Sequence, residues 1–321
     1  AHSYDQAYVD EVGNAVGIIG SGADDVMLLG HIDTFPGFPP VRRDGRSLYG
    51  RGSVDAKGPL CTFAVAAARA MLPPNLRVVV IGAVEEEAPT SRGALNAAKK
   101  FKPKACLIGE PSRWDRITLG YKGRMLLNWR WEGPLAHSAG QPPSPAEHAV
   151  AYWQQVVDYT ERRNTGITTQ FERLSPSLRD IHTGRHGAYG WAEMTLGLRI
   201  PPGVDPNDVV AAIIPKEGQI EQVYGTELAY VGEKDSPLTR ALRGGIRAIG
   251  GQPRFLNKTG TSDMNVVGHV WRCPIAAYGP GDSALDHTPD EHTDLDEYLK
   301  AVRVLTHALD NFAFSGQTAQ S

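Results

Sequence analysis

"LRVVVIGAVEEEAPTSRGA", residues 76–94, decides how this chain is read. The run Leu76–Val84 is apolar apart from Arg77 and rich in β-branched residues. It is too short to span a membrane and has the look of a strand buried on both faces, as in a parallel sheet. Glu85, Glu86 and Glu87 follow at once. A solvated turn is the plain explanation of a charge cluster there, but a turn does not need three charges that repel one another. The carboxyl ends of strands are where open α/β sheets bind ligands, so the triplet points to something cationic.

The surrounding sequence supplies the rest of such a sheet. "VMLLG" (26–30), "ACLIG" (105–109) and "CPIAAYGPG" (273–281) are further short apolar runs, and helical patterns lie between them at 57–71 and 91–101. "AYVDEVGNAVGIIG" (7–20) alternates around a Gly-Asn turn and predicts a hairpin. Strand and helix alternate, which gives an α/β fold with a mostly parallel sheet. Near residue 115 the character changes. "RITLGYKGRMLLNWRWEG" (116–133), a helix over 144–163, "GWAEMTLGLRI" (190–200), a helix starting in "DPNDVVAAII" and "QIEQVYGTELAYV" (219–231) follow a ferredoxin-like β-α-β-β-α-β order. The α/β pattern resumes at 236 and ends in a helix at about 294–313. Residues 1–115 and 232–321 therefore form one expected domain, and 116–231 an α+β domain inserted into it.

Composition narrows the function classes. The 321 residues carry 33 basic and 36 acidic side chains, a net charge of −3 that gives no polycation for nucleic acid. No apolar run reaches the roughly 18 residues of a membrane span, and no charged-then-apolar leader is visible, so a cytoplasmic protein is expected. Cys61, Cys106 and Cys273 are widely spaced in apolar stretches, which favours reduced core thiols over disulfides or thiolate metal sites.

The polar residues just past the proposed strands form a set. His31 and Asp33 follow the first run, Asp55 lies in "YGRGSVDAKG", the glutamates follow the third run, Glu110 follows "ACLIG", and His287 lies in "SALDHTPDEH". Two histidines among carboxylates with no cysteine suit zinc, cobalt or manganese.

Taken in order, "GHIDTFPG", "RGSVDAKG", "EEEAPTSRGA", "IGEPS" and "GPGDSALDHTPDE" resemble the co-catalytic di-zinc amidohydrolases and peptidases, the family of acetylornithine deacetylase, succinyl-diaminopimelate desuccinylase, aminoacylase and carboxypeptidase G. The resemblance covers almost the whole chain. It implies two divalent metal ions, zinc or alternatively cobalt, with Asp55 bridging them, His31 and Glu110 completing one site, and Glu87 and His287 the other. Asp33 would then accept the far ring N–H of His31. Glu86 would be the general base, and Glu85 stands where the family more often has Asp. The resemblance further implies that the inserted domain is both lid and homodimer interface. His137, in "GPLAHSAG", would help hold the oxyanion in the partner subunit's site. Arg199 in "LGLRIPPG" and Gly260, Thr261 and Ser262 in "KTGTSDMN" would grip a substrate carboxylate, although Arg199 reads equally well as half of a surface ion pair. Members of the family normally begin with a helix and loop ahead of the first hairpin, and this chain starts inside that region, so the expectation is either that its natural start is lacking or that part of the first domain is missing.

Within the family, "YKGRM", "EEEAPTSRGA" and "KTGTSDMN" look most like the branch that releases lysine or ornithine from a small acidic amino-group carrier protein. Acetylornithine deacetylase or the desuccinylase, acting on a small N-acyl amino acid, is the alternative. A metal-dead binding or scaffold relative is an alternative of another class. A carrier needs a docking surface, and residues 240–258 hold Arg240, Arg243, Arg247, Arg254 and Lys258 with no acid among them. The first three share a face of a predicted helix, which also reads simply as a solvated amphipathic face.

Overall fold

The apolar run is the strand Leu76–Ala83 in the computed structural model, which describes residues 3–135 and 142–314. Val78 to Ala83 are all buried, as a strand covered on both faces requires. It pairs in parallel with Asp24–His31, that strand with Ala105–Gly109, and that one with Ile275–Tyr278. Ala15–Ile19 and Gln6–Val9 extend one side as an antiparallel hairpin, and Arg116–Tyr121 pairs antiparallel with Ile275–Tyr278 on the other. Among the described residues the sheet has nine strands.

Apolar burial holds this sheet together. The helices Lys57–Arg69, Pro237–Ala248 and Leu295–Asp310 bring Phe63, Leu242, Ile246, Val304 and Leu305 into one core with Val26, Leu28, Val78 and Leu107. Each such side chain contributes about 1.5–3 kcal/mol on burial. The strand order is therefore fixed from below, and the rim is free to carry charge.

Register then decides what meets at the rim. His31 lies opposite Ala83, directly before the glutamate turn. Leu29 lies opposite Ile108, which puts Glu110 level with His31. Gly109 pairs with Tyr278, where the loop bearing His287 begins. A Cβ on Gly109 would lie 3.0 Å from the Phe63 ring and 3.1 Å from the Gly30 Cα. One on Gly279 would lie 2.6 Å from Pro59 and 2.9 Å from the Glu110 carbonyl oxygen. Both positions need glycine because the helix Lys57–Arg69 presses onto the strand ends, which brings the loop before it, with Asp55, to the rim.

The chain falls into two compact units. Ala1–Gly120, Val231–Asn257 and Ser262–Ser321 form the first; Tyr121–Tyr230 and Lys258–Thr261 form the second. The second has a four-stranded antiparallel sheet in the order Ser175–His186, Tyr189–Ile200, Gly123–Pro134, Gln219–Glu227. The helix Pro145–Arg163 packs Tyr152 and Val156 against Trp129, Leu196 and Leu198. Ser144 opens that helix with a reciprocal capping box to Glu147.

Two local readings differ from the sequence expectation. The run 116–133 is two strands in two sheets, divided at Lys122. The buried Lys122 ammonium donates to the carbonyls of Gln170 and Arg173 and to the Ser175 hydroxyl, so the division is made by a contact remote in sequence. Cys61, expected in the core, is exposed on its helix, while Cys106 is buried. No helix among the described residues is long and apolar enough to cross a membrane.

Candidate metal centre

His31 ends its strand with the side chain buried. Its Nδ1 lies 3.1 Å from the Asp33 backbone oxygen and 3.5 Å from the Asp33 Oδ1, so both the carbonyl and the carboxylate of Asp33 face that nitrogen. Nε2 is left facing Asp55 Oδ1 at 3.2 Å. The other Asp55 oxygen, Oδ2, lies 3.0 Å from His287 Nε2. One carboxylate thus touches two imidazoles with different oxygens, which is the disposition of a bridging ligand. Glu87 Oε1 lies 3.1 Å from His287 Nε2. Donor atoms of His31, Asp55 and Glu110 lie within 4.8 Å of one another, and so do those of Asp55, Glu87 and His287.

The glutamate triplet divides its work. Glu85 sits in the left-handed region at φ 61 and turns away, pairing with Arg92 at 3.1 Å and accepting a hydrogen bond from Thr90. Glu86, 14% exposed, points back so that Oε2 is 4.0 Å from His31 Nε2. Glu87 reaches His287. The Asp33 carboxylate accepts the backbone N–H groups of both Glu86 and Glu87, at 3.2 and 3.1 Å. Asp33 therefore joins the His31 strand end to the glutamate turn, a role beyond the ring contact that the sequence suggested.

The electrostatics of the rim favour added positive charge. Burial opposes ionising Asp55, yet the hydrogen bonds from His287 and His31 hold its carboxyl well below the usual range. The hydrogen bond to Asp55 pushes His287 up to about 9 against partial desolvation. Burial works against a charge on His31, but Asp33 and Asp55 still raise it well above the ordinary imidazole value. Burial pushes Glu86 well up, His31 opposes this, and Glu110, Asp263 and Asp55 reinforce it. Glu87 is raised by burial and then by Asp55. Imidazoles and carboxylates of this kind, without thiolate, fit a pair of divalent cations of the zinc, cobalt or manganese type.

Glu291 is the residue that sequence reasoning missed. It is buried, and its carboxylate accepts from the backbone N–H of Val54 and Asp55 and from Arg51. The only signal in the sequence was an acid four places past His287. Phe35 is a second omission: its ring stacks on His287 with centroids 4.2 Å apart, and its N–H donates to Glu87 Oε1.

Of the residues expected to contact substrate, Arg199, Thr261 and Ser262 have partners within the protein. Arg199 donates to the Thr261 hydroxyl at 3.1 Å, both within the second unit. Gly260 has open space where a side chain would lie. Ser262 opens the helix Asp263–Trp271: its N–H donates to Asn265 Oδ1 and its hydroxyl accepts from Met264 N–H, so both groups serve the helix start. His137 lies outside the described residues.

With this rim in view, the comparisons with known proteins are informative. Residues 27–311 match the peptidase family M20/M25/M40, and the chain belongs to that family. It is 48% identical over 320 residues to LysW-lysine hydrolase of Deinococcus radiodurans, covering 94% of this chain and 86% of that protein. It is 38% identical over 304 residues to a putative LysW-lysine/LysW-ornithine hydrolase of Thermococcus kodakarensis, covering 95% and 81%. Among solved structures it is similar to an M20 family metallo-carboxypeptidase from Sulfolobus solfataricus. The TM-score is 0.77 at 16% identity, over 96% of this chain and 90% of that one. A dinuclear metal-binding M20 peptidase from Bacillus subtilis shares the fold with a TM-score of 0.65 at 14% identity, over 95% and 87%.

Proposed function

We propose that this chain is a metal-dependent amide hydrolase that releases lysine, or ornithine, from the γ-glutamyl C-terminus of a small acidic amino-group carrier protein. The observation that carries the reading is Asp55 shared between two donor clusters, with Glu86 facing them, in a chain 48% identical to a hydrolase named for such a substrate. His31, Asp55 and Glu110 would hold one divalent ion, and Asp55, Glu87 and His287 the second, zinc by preference or cobalt. Bound there, two such ions lower the pKa of water towards about 7 and polarise the scissile carbonyl.

The chain's own groups do the rest. Glu86 takes the proton of the attacking water on its carboxylate and returns it to the departing amine nitrogen, so it must not be a ligand as well. Asp33 holds the His31 ring and the glutamate turn in place. Arg199 and Thr261 are assigned to the carboxylate of the amino acid released, with the Gly260 backbone beside them and Ser262 at the start of the next helix. We assign His137 to the developing oxyanion across a homodimer, and the inserted domain, expected at 116–231 and drawn in the structure as Tyr121–Tyr230 with Lys258–Thr261, to the lid and dimer contact. The edge strand Ser175–His186 supports a dimer contact, since among the described residues one side of it has no partner strand in the sheet. The enzyme would work in the cytoplasm.

The test is a direct comparison of carrier-linked lysine, N-acetylornithine and succinyl-diaminopimelate as substrates, before and after chelation. Preference for the carrier-linked amide, loss of activity on chelation and recovery with zinc or cobalt are expected. A clear preference for either small N-acyl amino acid would overturn the substrate assignment, and full turnover by metal-free protein would overturn the mechanism.

A further inference from the structure

Two loops distant in sequence are stitched together beside the metal-ligand clusters. Gly50 N–H donates to the Glu291 backbone oxygen at 3.1 Å. Arg51 Nη1 donates to the Thr288 oxygen at 3.3 Å and to Glu291 Oε2 at 2.7 Å. Glu291 Oε1 accepts from Val54 N–H at 3.0 Å and Asp55 N–H at 3.2 Å. Glu291 is thus a buried carboxylate facing one guanidinium and two backbone donors, an arrangement in which a charge taken out of water is compensated. Its oxygens meet the clusters at the backbone of Asp55. It fixes that backbone and, through its own chain, the segment that begins at His287.

The bonds converge on one distance. Asp55 Oδ2 and His287 Nε2, 3.0 Å apart, come from these two loops. Among the described residues Glu291 supplies the side chain that binds the Asp55 N–H, and it lies four residues from His287 on a strap that also receives Arg51. His31 and Glu110, by contrast, come from adjacent parallel strands whose pairing sets their separation. One half of the site is placed by the sheet, and the other needs a side chain to place it.

We propose that Glu291, gripped by Arg51, is a positioning residue that sets Asp55 against His287 and so controls binding of the second cation at Asp55, Glu87 and His287, more than binding of the first at His31, Asp55 and Glu110. The inference rests on the reading that these clusters hold two metal ions. Glu291 makes no contact with substrate in this role and is not a proton carrier.

Cobalt(II) titration of the metal-stripped, full-length protein tests it without substrate. Wild-type protein is expected to bind two cobalt ions, and failure to bind them would overturn the metal reading itself, along with this inference. Glu291→Gln keeps the size and one acceptor but loses the ion pair. It is expected to retain the first binding step and to weaken the second by about 10–100-fold, the usual effect of removing a ligand's supporting partner. The visible spectrum of the second cobalt ion should change accordingly. Two steps of wild-type affinity and spectrum, or equal weakening of both steps, would overturn the proposal. If Glu291→Gln does not fold, Arg51→Lys decides: it keeps the charge without the forked geometry. A selectively weakened second step supports the assignment, and an unchanged one overturns it.

Discussion

The two histidines on either side of Asp55 are held by different means. His31 is 1% exposed, ends a strand buried on both faces and is gripped at Nδ1 by Asp33. His287 is 40% exposed, sits in a loop at φ 62 and leans on the Phe35 ring. A left-handed backbone at a residue other than glycine is costly and persists only where its surroundings enforce it. One side of the centre is a product of strand register and core burial, and the other of loop contacts. The comparison teaches that a symmetric list of candidate ligands does not make a symmetric site.

Three substitutions can break or sharpen this contrast. Asp55→Ala removes the group common to both sides and should abolish turnover together with binding of both cations, measured by metal analysis after dialysis. Retention of one ion at wild-type affinity would show that the sides are independent. Glu86→Gln should leave two ions bound and lower kcat by about 10²–10⁴-fold, the usual contribution of a positioned proton carrier. Loss of an ion instead would mean that the roles of Glu86 and Glu87 are exchanged. Phe35→Ala takes away the stacking partner of His287, a ring that also lies 5.8 Å from the Arg51 guanidinium. Aromatic pairs contribute about 0.5–1.5 kcal/mol, so affinity on the His287 side should fall by roughly 2–10-fold, with the His31 side unchanged. Equal weakening of both sides would place Phe35 in the general scaffold.

The sequence made legible the parts of the molecule that local pattern dictates. Doubly buried strands announce themselves as unbroken apolar runs, so Leu76–Ala83 and its parallel neighbours could be read; the polar residues past them gave a set of candidates, from which the family resemblance, not the pattern, picked His31, Asp55, Glu87, Glu110 and His287. The strand Ser175–His186 could not be read. It lies at a sheet edge, most of its residues are exposed, and it shows no alternation. Glu291 was invisible for another reason: its partners Arg51 and Asp55 are more than two hundred residues away, and no short-range pattern marks a buried acid. The arginine face has an acid beside it that the stretch 240–258 leaves out. Asp235, just outside residues 240–258, pairs with Arg240 at 3.0 Å and approaches Arg243 at 3.8 Å, so that face is less basic than its own stretch suggests.

The order of the central strands also sets a timetable. As the chain is synthesised, His31, Asp55, Glu87 and Glu110 have all emerged once residue 110 is made, and the strands bearing His31 and Glu110 are neighbours able to pair. His287 follows only after more than half of the chain has been added, at roughly 5–20 residues per second. Its strand, Ile275–Tyr278, closes the exposed flank of Ala105–Gly109. During that interval of some tens of seconds the nascent protein has every residue proposed for the first cation and lacks one of those proposed for the second. On that proposal, a cell that supplies cations early would meet a mononuclear protein before a dinuclear one.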